Sequence, residues 1–150
     1  MTLLNRLPFF PLYYGGNTQF APIHCSDLTD TINYIISNNV NSKIIECIGP
    51  EIITFKDLIK KLLYLINKKR ILLPLPLPIA KITATLFEFM PNPLITRDQL
   101  NLLKYDNILS GKYKSNSDIG VPSVRYFSDE VKKYCYMWRD GGQFSTDKYI

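Results

Sequence analysis

The sequence predicts an α/β fold, and three local patterns carry that prediction. An apolar segment with strand composition runs from Thr18 to Cys25 and meets Ser26 and Asp27, whose side-chain oxygens suit the N-cap of a helix. A second apolar segment, Lys43 to Ile48, is rich in isoleucine and stops at Gly49-Pro50. Thr54 followed by Asp57 then has the spacing of a capping box in front of a long apolar stripe. Strand and helix therefore alternate.

In chain order, the polar turn Gly15-Gly16-Asn17 feeds the first strand. The helix that follows carries Leu28, Ile32, Ile35 and Ile36 on one expected face. After the second strand, Phe55, Leu58, Ile59, Leu62, Leu63 and Ile66 form a stripe, with Lys56, Lys60 and Lys61 away from its centre on an expected solvated face. Arg70 to Leu73 suits one more short strand. Pro74, Pro76 and Pro78 then exclude a normal helix, because each ring fixes its own φ and biases the preceding residue toward extended geometry. Pro78 fits the first turn of an apolar helix from Ile79 through Met90, stopped by Pro91-Asn92-Pro93. Thr96 and Gln99 box the start of the next helix, which buries Leu100 and Leu103. A last short helix is expected to open at Ser128 or Asp129 and to carry Val131, Tyr134 and Cys135 ahead of a polar tail. With no internal repeat and no low-complexity linker, the expectation is a single domain or part of one.

The chain has 150 residues, 46% hydrophobic and 21% charged, a composition that supports a packed core and argues against disorder. Its net charge of +5 is scattered, and the only dense run is Lys68-Lys69-Arg70. Nucleic-acid surfaces concentrate such charge beside stacking aromatics, so no nucleic-acid partner is expected. Cys25, Cys47 and Cys135 are an odd, widely spaced set that reads as reduced, buried thiols. With His24 the only histidine and no CxxC pair, no metal site is expected. The start of the chain lacks signal-peptide features, which leads to the expectation of an intracellular protein. Ile71 to Leu94 is nearly all apolar but is broken by prolines, Lys81 and Glu88, leaving about a dozen helical residues against the ~20 a span requires.

The strand, acidic cap and amphipathic helix in this order resemble the second half of an extended short-chain dehydrogenase/reductase. A more specific likeness lies in GPEIITFKDL (Gly49 to Leu58), PLPLPIAK (Pro74 to Lys81), FEFMPNPLITRDQL (Phe87 to Leu100) and KYDN (Lys104 to Asn107). It continues through SDIGV (Ser117 to Val121) and WRDGGQF (Trp138 to Phe144). Together these are similar to the nucleotide-binding accessory subunit family of respiratory complex I and its bacterial homologues, in its carboxy-terminal half.

The resemblance implies the substrate-side lobe of a Rossmann-like fold with the cofactor-binding half absent. Residues 1–150 would form a single partial domain: 15–70 as strand–helix units of the core sheet, 71–110 as a proline-rich and helical lobe, and 111–150 as a terminal helix and tail. It implies NADH or NADPH as the nucleotide of a full-length member. No cofactor is expected for this chain alone, since no G-x-G-x-x-G or G-x-x-G-x-x-G turn occurs in it. The implied partners are other complex I subunits or an amino-terminal Rossmann half. The implied location is cytoplasmic, or peripheral on the inner face of the respiratory membrane, which is the matrix side in a mitochondrion. The functional expectation is a non-catalytic accessory or assembly protein. One alternative is part of an NAD(P)-dependent reductase or epimerase that acts only with its Rossmann half; a weaker one is a basic module for membrane surfaces or nucleic acid.

Tyr64 and Lys68 have the Tyr-x-x-x-Lys spacing with which active reductases place a lysine beside a catalytic tyrosine on one helical face. The family's motif lies upstream of the segments matched here, and with 10 tyrosines in the chain the spacing reads as chance, so no catalytic residue is assigned. His24 has no nucleophile or metal ligand tied to it by motif and reads either as a structural histidine or as a cleft-facing recognition residue. Cys25 beside it lies near a helix start, yet without a partner base an inert buried thiol is expected. By the resemblance, Gln19 and His24 lie on the strand that passes the substrate end of the cofactor cleft; they are the two cleft-facing candidates. Around Thr96, capping accounts for Thr96 and Gln99, and the helix dipole for Asp98. Arg97 is left as the candidate for docking to a carboxylate or phosphate of a partner.

Overall fold

The computed structural model describes residues 1, 4–5, 7–41, 43–76, 78–79 and 97–144. In chain order its elements are β1 (Phe9–Tyr13), a 3-10 turn (Tyr14–Gly16), β2 (Gln19–Phe20), α1 (Cys25–Ser37), β3 (Ile45–Glu46), β4 (Ile53–Thr54) and α2 (Phe55–Leu65). Then come β5 (Ile71–Leu75), α3 (Arg97–Leu102), β6 (Lys114–Ser115), α4 (Phe127–Glu130), α5 (Lys132–Cys135) and a 3-10 turn (Tyr136–Trp138). The fold is mixed α/β, and two of its strand pairs, β1 with β5 and β3 with β6, are parallel. The chain divides into two compact units and passes between them at β2 and β4, which pair with one another.

The first unit comprises Met1–Gln19, Thr54–Asp106 and Cys135–Ile150. Its sheet is β1 beside β5, in register from Phe9 opposite Ile71 to Tyr13 opposite Leu75. Strand β1 escapes a reading of the sequence because Pro11 sits in its middle. A proline cannot donate to a ladder, but among the described residues each strand here pairs on one side alone, an edge position that tolerates both Pro11 and Pro74. The expected strand at Arg70 to Leu73 accordingly runs on through Pro74 to Leu75. After β1 the backbone turns through positive φ at Tyr14, Gly15 and Gly16. A Cβ on Gly16 would sit 2.9 Å from Lys56 Cβ and 3.3 Å from Leu12 Cδ2, so only glycine fits.

The expected N-cap of α2 is formed, with Asp57 bonded to the Thr54 hydroxyl in place of the backbone half of a capping box. Thr54 Oγ1 accepts from the Asp57 amide at 3.1 Å and donates to Asp57 Oδ2 at 2.7 Å. Of the stripe behind it Ile59, Leu62, Leu63 and Ile66 are buried and Phe55 and Leu58 half-buried, while Leu65, outside the expected stripe, is buried too. Phe55 at the first turn meets the Phe10 ring at 6.2 Å between centroids. In α3, Leu100 is buried and joins a cluster with Tyr13, Tyr14, Leu75 and Leu103. Pro78 and Ile79 are helical, as expected of Pro78 in a first turn. The rest of the expected helix to Met90, its proline stop and the Thr96 cap lie outside the described residues.

The second unit comprises Phe20–Ile53 and Asn107–Tyr134. Its strands are shorter than expected. Within Thr18 to Cys25 only β2 is strand, because Pro22 ends the ladder; Ala21 still bonds to Asn107 and Gly49 through its backbone. Within Lys43 to Ile48 only β3 pairs, Ile45 with Lys114 and Glu46 with Ser115. Gly49 is required, since a Cβ there would lie 1.8 Å from the Pro22 carbonyl oxygen.

Helix α1 is correctly placed but differently capped and faced. His24, rather than Ser26 or Asp27, is its N-cap. Asp27 and Thr31 are its buried residues, while Ile32 and Ile36 are exposed, Ile36 at 68%. The helix turns its polar side inward because Asp27 has a specific partner there: Oδ2 accepts from the Val124 and Arg125 amides at 3.2 and 3.0 Å, and Oδ1 takes the Arg125 guanidinium. Asn116 is fully buried and organises the next layer. Its Oδ1 accepts from Ile48 N at 3.1 Å, and its Nδ2 donates to Val121 O at 3.1 Å and Ser123 Oγ at 2.9 Å. Helix α4 opens at Phe127, just ahead of the expected start, and its N-cap Tyr126 makes no side-chain cap. Glu51 supplies the acceptor instead, its Oε1 receiving the Ser128 amide at 3.3 Å.

Candidate functional site

The second unit holds a cavity of about 310 Å³ lined by Pro22, Ile23, His24 and Cys25 from the entry to α1, Arg125 and Phe127 around the start of α4, and Glu130 and Tyr134 beyond. That volume is at the low end for small-molecule sites. Pro22 and Ile23 are held extended by the Ala21 bonds, which delivers His24 to the N-cap position at φ −74° and ψ 144°. His24 Nδ1 accepts from the Ser26 amide at 3.2 Å. An acceptor at Nδ1 puts the proton of the neutral ring on Nε2, which lies 3.7 Å from Glu130 Oε2 and 4.0 Å from Cys25 Sγ.

This arrangement limits what His24 can do. Its Nδ1 lone pair is committed to the helix cap, so it offers a donor at Nε2 and no free basic nitrogen. Donation to a carbonyl or hydroxyl of a small molecule is within its chemistry; proton abstraction would cost the cap. Cys25, the first residue of α1, is exposed rather than buried, and Cys47 is half-buried; only Cys135 matches the buried-thiol expectation. Burial pushes the Cys47 and Cys135 thiols up, in Cys135 against the lowering influence of Arg139 and the chain amino group. For Asp27, burial works to raise the pKa. Hydrogen bonds from the Arg125 backbone and guanidinium and from Val124, with the Arg125 charge, outweigh it and hold the carboxyl below its usual range.

The other sequence candidates are placed elsewhere. Gln19 lies half-buried in β2, its amide donating to Asp106 Oδ1 at 2.8 Å, and does not line the cavity. Tyr64 and Lys68 do not share a helical face: α2 ends at Leu65, Asn67 takes φ 56°, and Lys68 pairs with Asp140 while Tyr64 is 84% exposed. Arg97 opens α3 and is exposed. The residues that sequence reasoning missed are Arg125, Glu130 and Tyr134. They lie about a hundred positions from His24 with no local motif to link them, and the one signal was an aspartate, Asp27, assigned to capping alone.

The glycine pair after β1, Gly15-Gly16, lies inside the 3-10 turn Tyr14–Gly16 and is followed by β2, so it does not open a helix whose N-terminus could take a pyrophosphate. Gly16 is spent on close packing against Lys56 and Leu12. Among the described residues no group of three or more His, Cys, Asp or Glu could hold a metal, and no helix is long and apolar enough to cross a membrane.

No family model matches the chain. It is 32% identical over 150 aligned positions to NADH dehydrogenase [ubiquinone] 1 alpha subcomplex subunit 9, mitochondrial, of Arabidopsis thaliana. The likeness is to a complex I accessory subunit. It takes in 93% of this chain and 37% of the plant protein, so the chain spans little more than a third of its relative's length. The similarity supports a relationship to the complex I accessory subunits.

Proposed function

We propose that this chain is a non-catalytic, complex-I-type accessory or assembly component, built as the substrate-side lobe of a Rossmann-like reductase fold. The observation that carries the reading is the 32% identity spread over 93% of the chain, far more than one shared motif would give. The first unit adds physical support. Parallel strands are ordinarily covered on both faces, yet β1 and β5 leave Phe9, Ile71 and Leu73 exposed, Ile71 at 66%. In the second unit Ile32 and Ile36 of α1 are exposed as well. An amino-terminal Rossmann half would cover such faces and bring the glycine-rich turn, and with it the NADH or NADPH of a full-length member; this chain alone would hold no nucleotide.

The partners are then complex I subunits together with that half, and the exposed Arg97 at the start of α3 is the docking residue we assign. The location follows the relative, whose name places it in the mitochondrion, with this chain peripheral on the matrix side. The test is to express the tagged chain in its native cells and resolve membranes on blue-native gels. Migration with NADH:ubiquinone oxidoreductase activity or with an assembly intermediate is expected, weakened by Arg97→Ala. Free chain throughout, absent from every such band, would overturn the reading.

A further inference from the structure

The second unit has a larger groove, about 670 Å³, on a different set of residues from the His24 cavity. Its cationic lining is Lys43, Lys112 and Lys114 against a single carboxylate, Asp118. Strand pairing puts them together: β3 pairs β6 with Ile45 opposite Lys114, so the segment before β3 and the Gly111 turn before β6 converge.

The carboxylates on these elements are already engaged. Asp118 Oδ2 accepts from the Ser115 amide and from Ser115 Oγ, both at 2.8 Å. Those bonds, the backbone one first, hold Asp118 below its usual carboxylate range, with the Lys114 charge a smaller contribution. Glu46 of β3 accepts from the Ser110 amide at 2.9 Å and from its hydroxyl. Hydrogen bonding leaves both carboxylates ionised, and the positive character of the groove comes from its three lysines outnumbering the one carboxylate that lines it. Beside them stand Tyr34, Tyr113 and Ile44, all exposed, Ile44 at 61%.

We propose that this groove binds the headgroup layer of an anionic phospholipid membrane. Lysines carry a point charge on a flexible apolar stem and suit phosphates spread over a fluid surface better than one fixed bidentate ligand. Tyrosines beside them match the amphipathic rings that settle at headgroup depth, and Ile44 supplies an apolar group to insert below them. A free phosphate or an acidic protein segment would use the lysines and leave Ile44 and Tyr113 in water. The inference does not depend on the complex I reading.

The experiment is vesicle co-sedimentation of the full chain, using phosphatidylcholine with and without phosphatidylserine. Binding to the anionic vesicles alone is expected. At about fivefold per lysine, Lys43→Gln, Lys112→Gln and Lys114→Gln together should weaken it about a hundredfold. The double variant Ile44→Ser, Tyr113→Ser should weaken it further at unchanged charge. A control set in the first unit, Lys56→Gln, Lys60→Gln and Lys69→Gln, should lose far less. Three results each overturn the proposal: no preference for anionic vesicles, an equal loss in the control set, or no effect of Ile44→Ser, Tyr113→Ser. The last would leave inorganic phosphate or an acidic peptide as the ligand, and competition by either would tell them apart. All substituted side chains are exposed, and unchanged thermal melts confirm that the variants fold.

Discussion

The two units differ in the balance of what they bury. The first hides Leu12, Ile59, Leu62, Leu63 and Ile66 with Asn5 and Thr18 as its polar exceptions, whereas the second hides Asp27, Thr31, Ser115 and Asn116 beside only Ala21, Ile53 and Val131. Apolar burial is non-directional and insensitive to pH; a buried polar network is directional, and each member left without its partner carries the full cost of desolvation. The first unit should therefore fail by cavity formation and the second by orphaned hydrogen bonds or protonation.

The largest effect expected is in the first unit. Ile66→Ala, at a fully buried position, should cost about 3 to 4 kcal/mol in urea unfolding, with little change between pH 5 and 8 as roughly expected of an apolar truncation. Asn116→Ala should cost about 3 kcal/mol, one for each of the bonds to Ile48, Val121 and Ser123. Amide exchange at Ile48 should report it first. If Asn116→Ala is nearly neutral while Ile66→Ala is not, the polar unit is loosely packed and the contrast collapses.

Acid sharpens the comparison. Asp27 has a folded pKa below its ordinary 3.8, so its contribution is fully present above that value and is lost as pH falls through the lower folded one. Exchange protection at the Val124 and Arg125 amides should decline in that window. Asp27→Asn should remove that pH dependence at the Val124 and Arg125 amides and cost about 2 kcal/mol at neutral pH, the low end for a buried pair because the Arg125 guanidinium is partly solvated. The smallest effect is Thr54→Ala, about 1 kcal/mol from a lost cap, read as an equal drop in the denaturation midpoint at pH 5 and 7.

What was legible in the sequence follows from whether the signal is local. The α2 cap and stripe are written in consecutive residues, Thr54 with Asp57 and then the apolar positions at helical spacing, and the structure has them. So is the glycine turn at Gly15-Gly16. Helix α1 was placed but its orientation was not, because its inward face is chosen by Arg125, 98 positions on. A separation of 77 positions likewise hides Glu51 as the acceptor for α4, and distance along the chain hides the meeting of Glu130 and Tyr134 with His24. Strand β1 was missed for a different reason: Pro11 argues against a central strand and says nothing against an edge. The Tyr64 and Lys68 spacing, read as chance, is the converse case, a local pattern whose geometry dissolves because the helix ends before it is complete.

The central claim, that the chain is the substrate-side lobe of a larger reductase-like fold, is tested most directly by size-exclusion chromatography with thermal melting. The chain is measured alone and co-expressed with the preceding segment of a longer relative that carries the glycine-rich turn. Alone, with Phe9, Ile71, Ile32 and Ile36 exposed, it should self-associate and melt broadly; co-expressed, it should elute as a one-to-one complex with a sharper, higher transition. A monodisperse monomer alone, melting cooperatively well above about 65 °C, would contradict the claim and mark the chain as a self-sufficient domain.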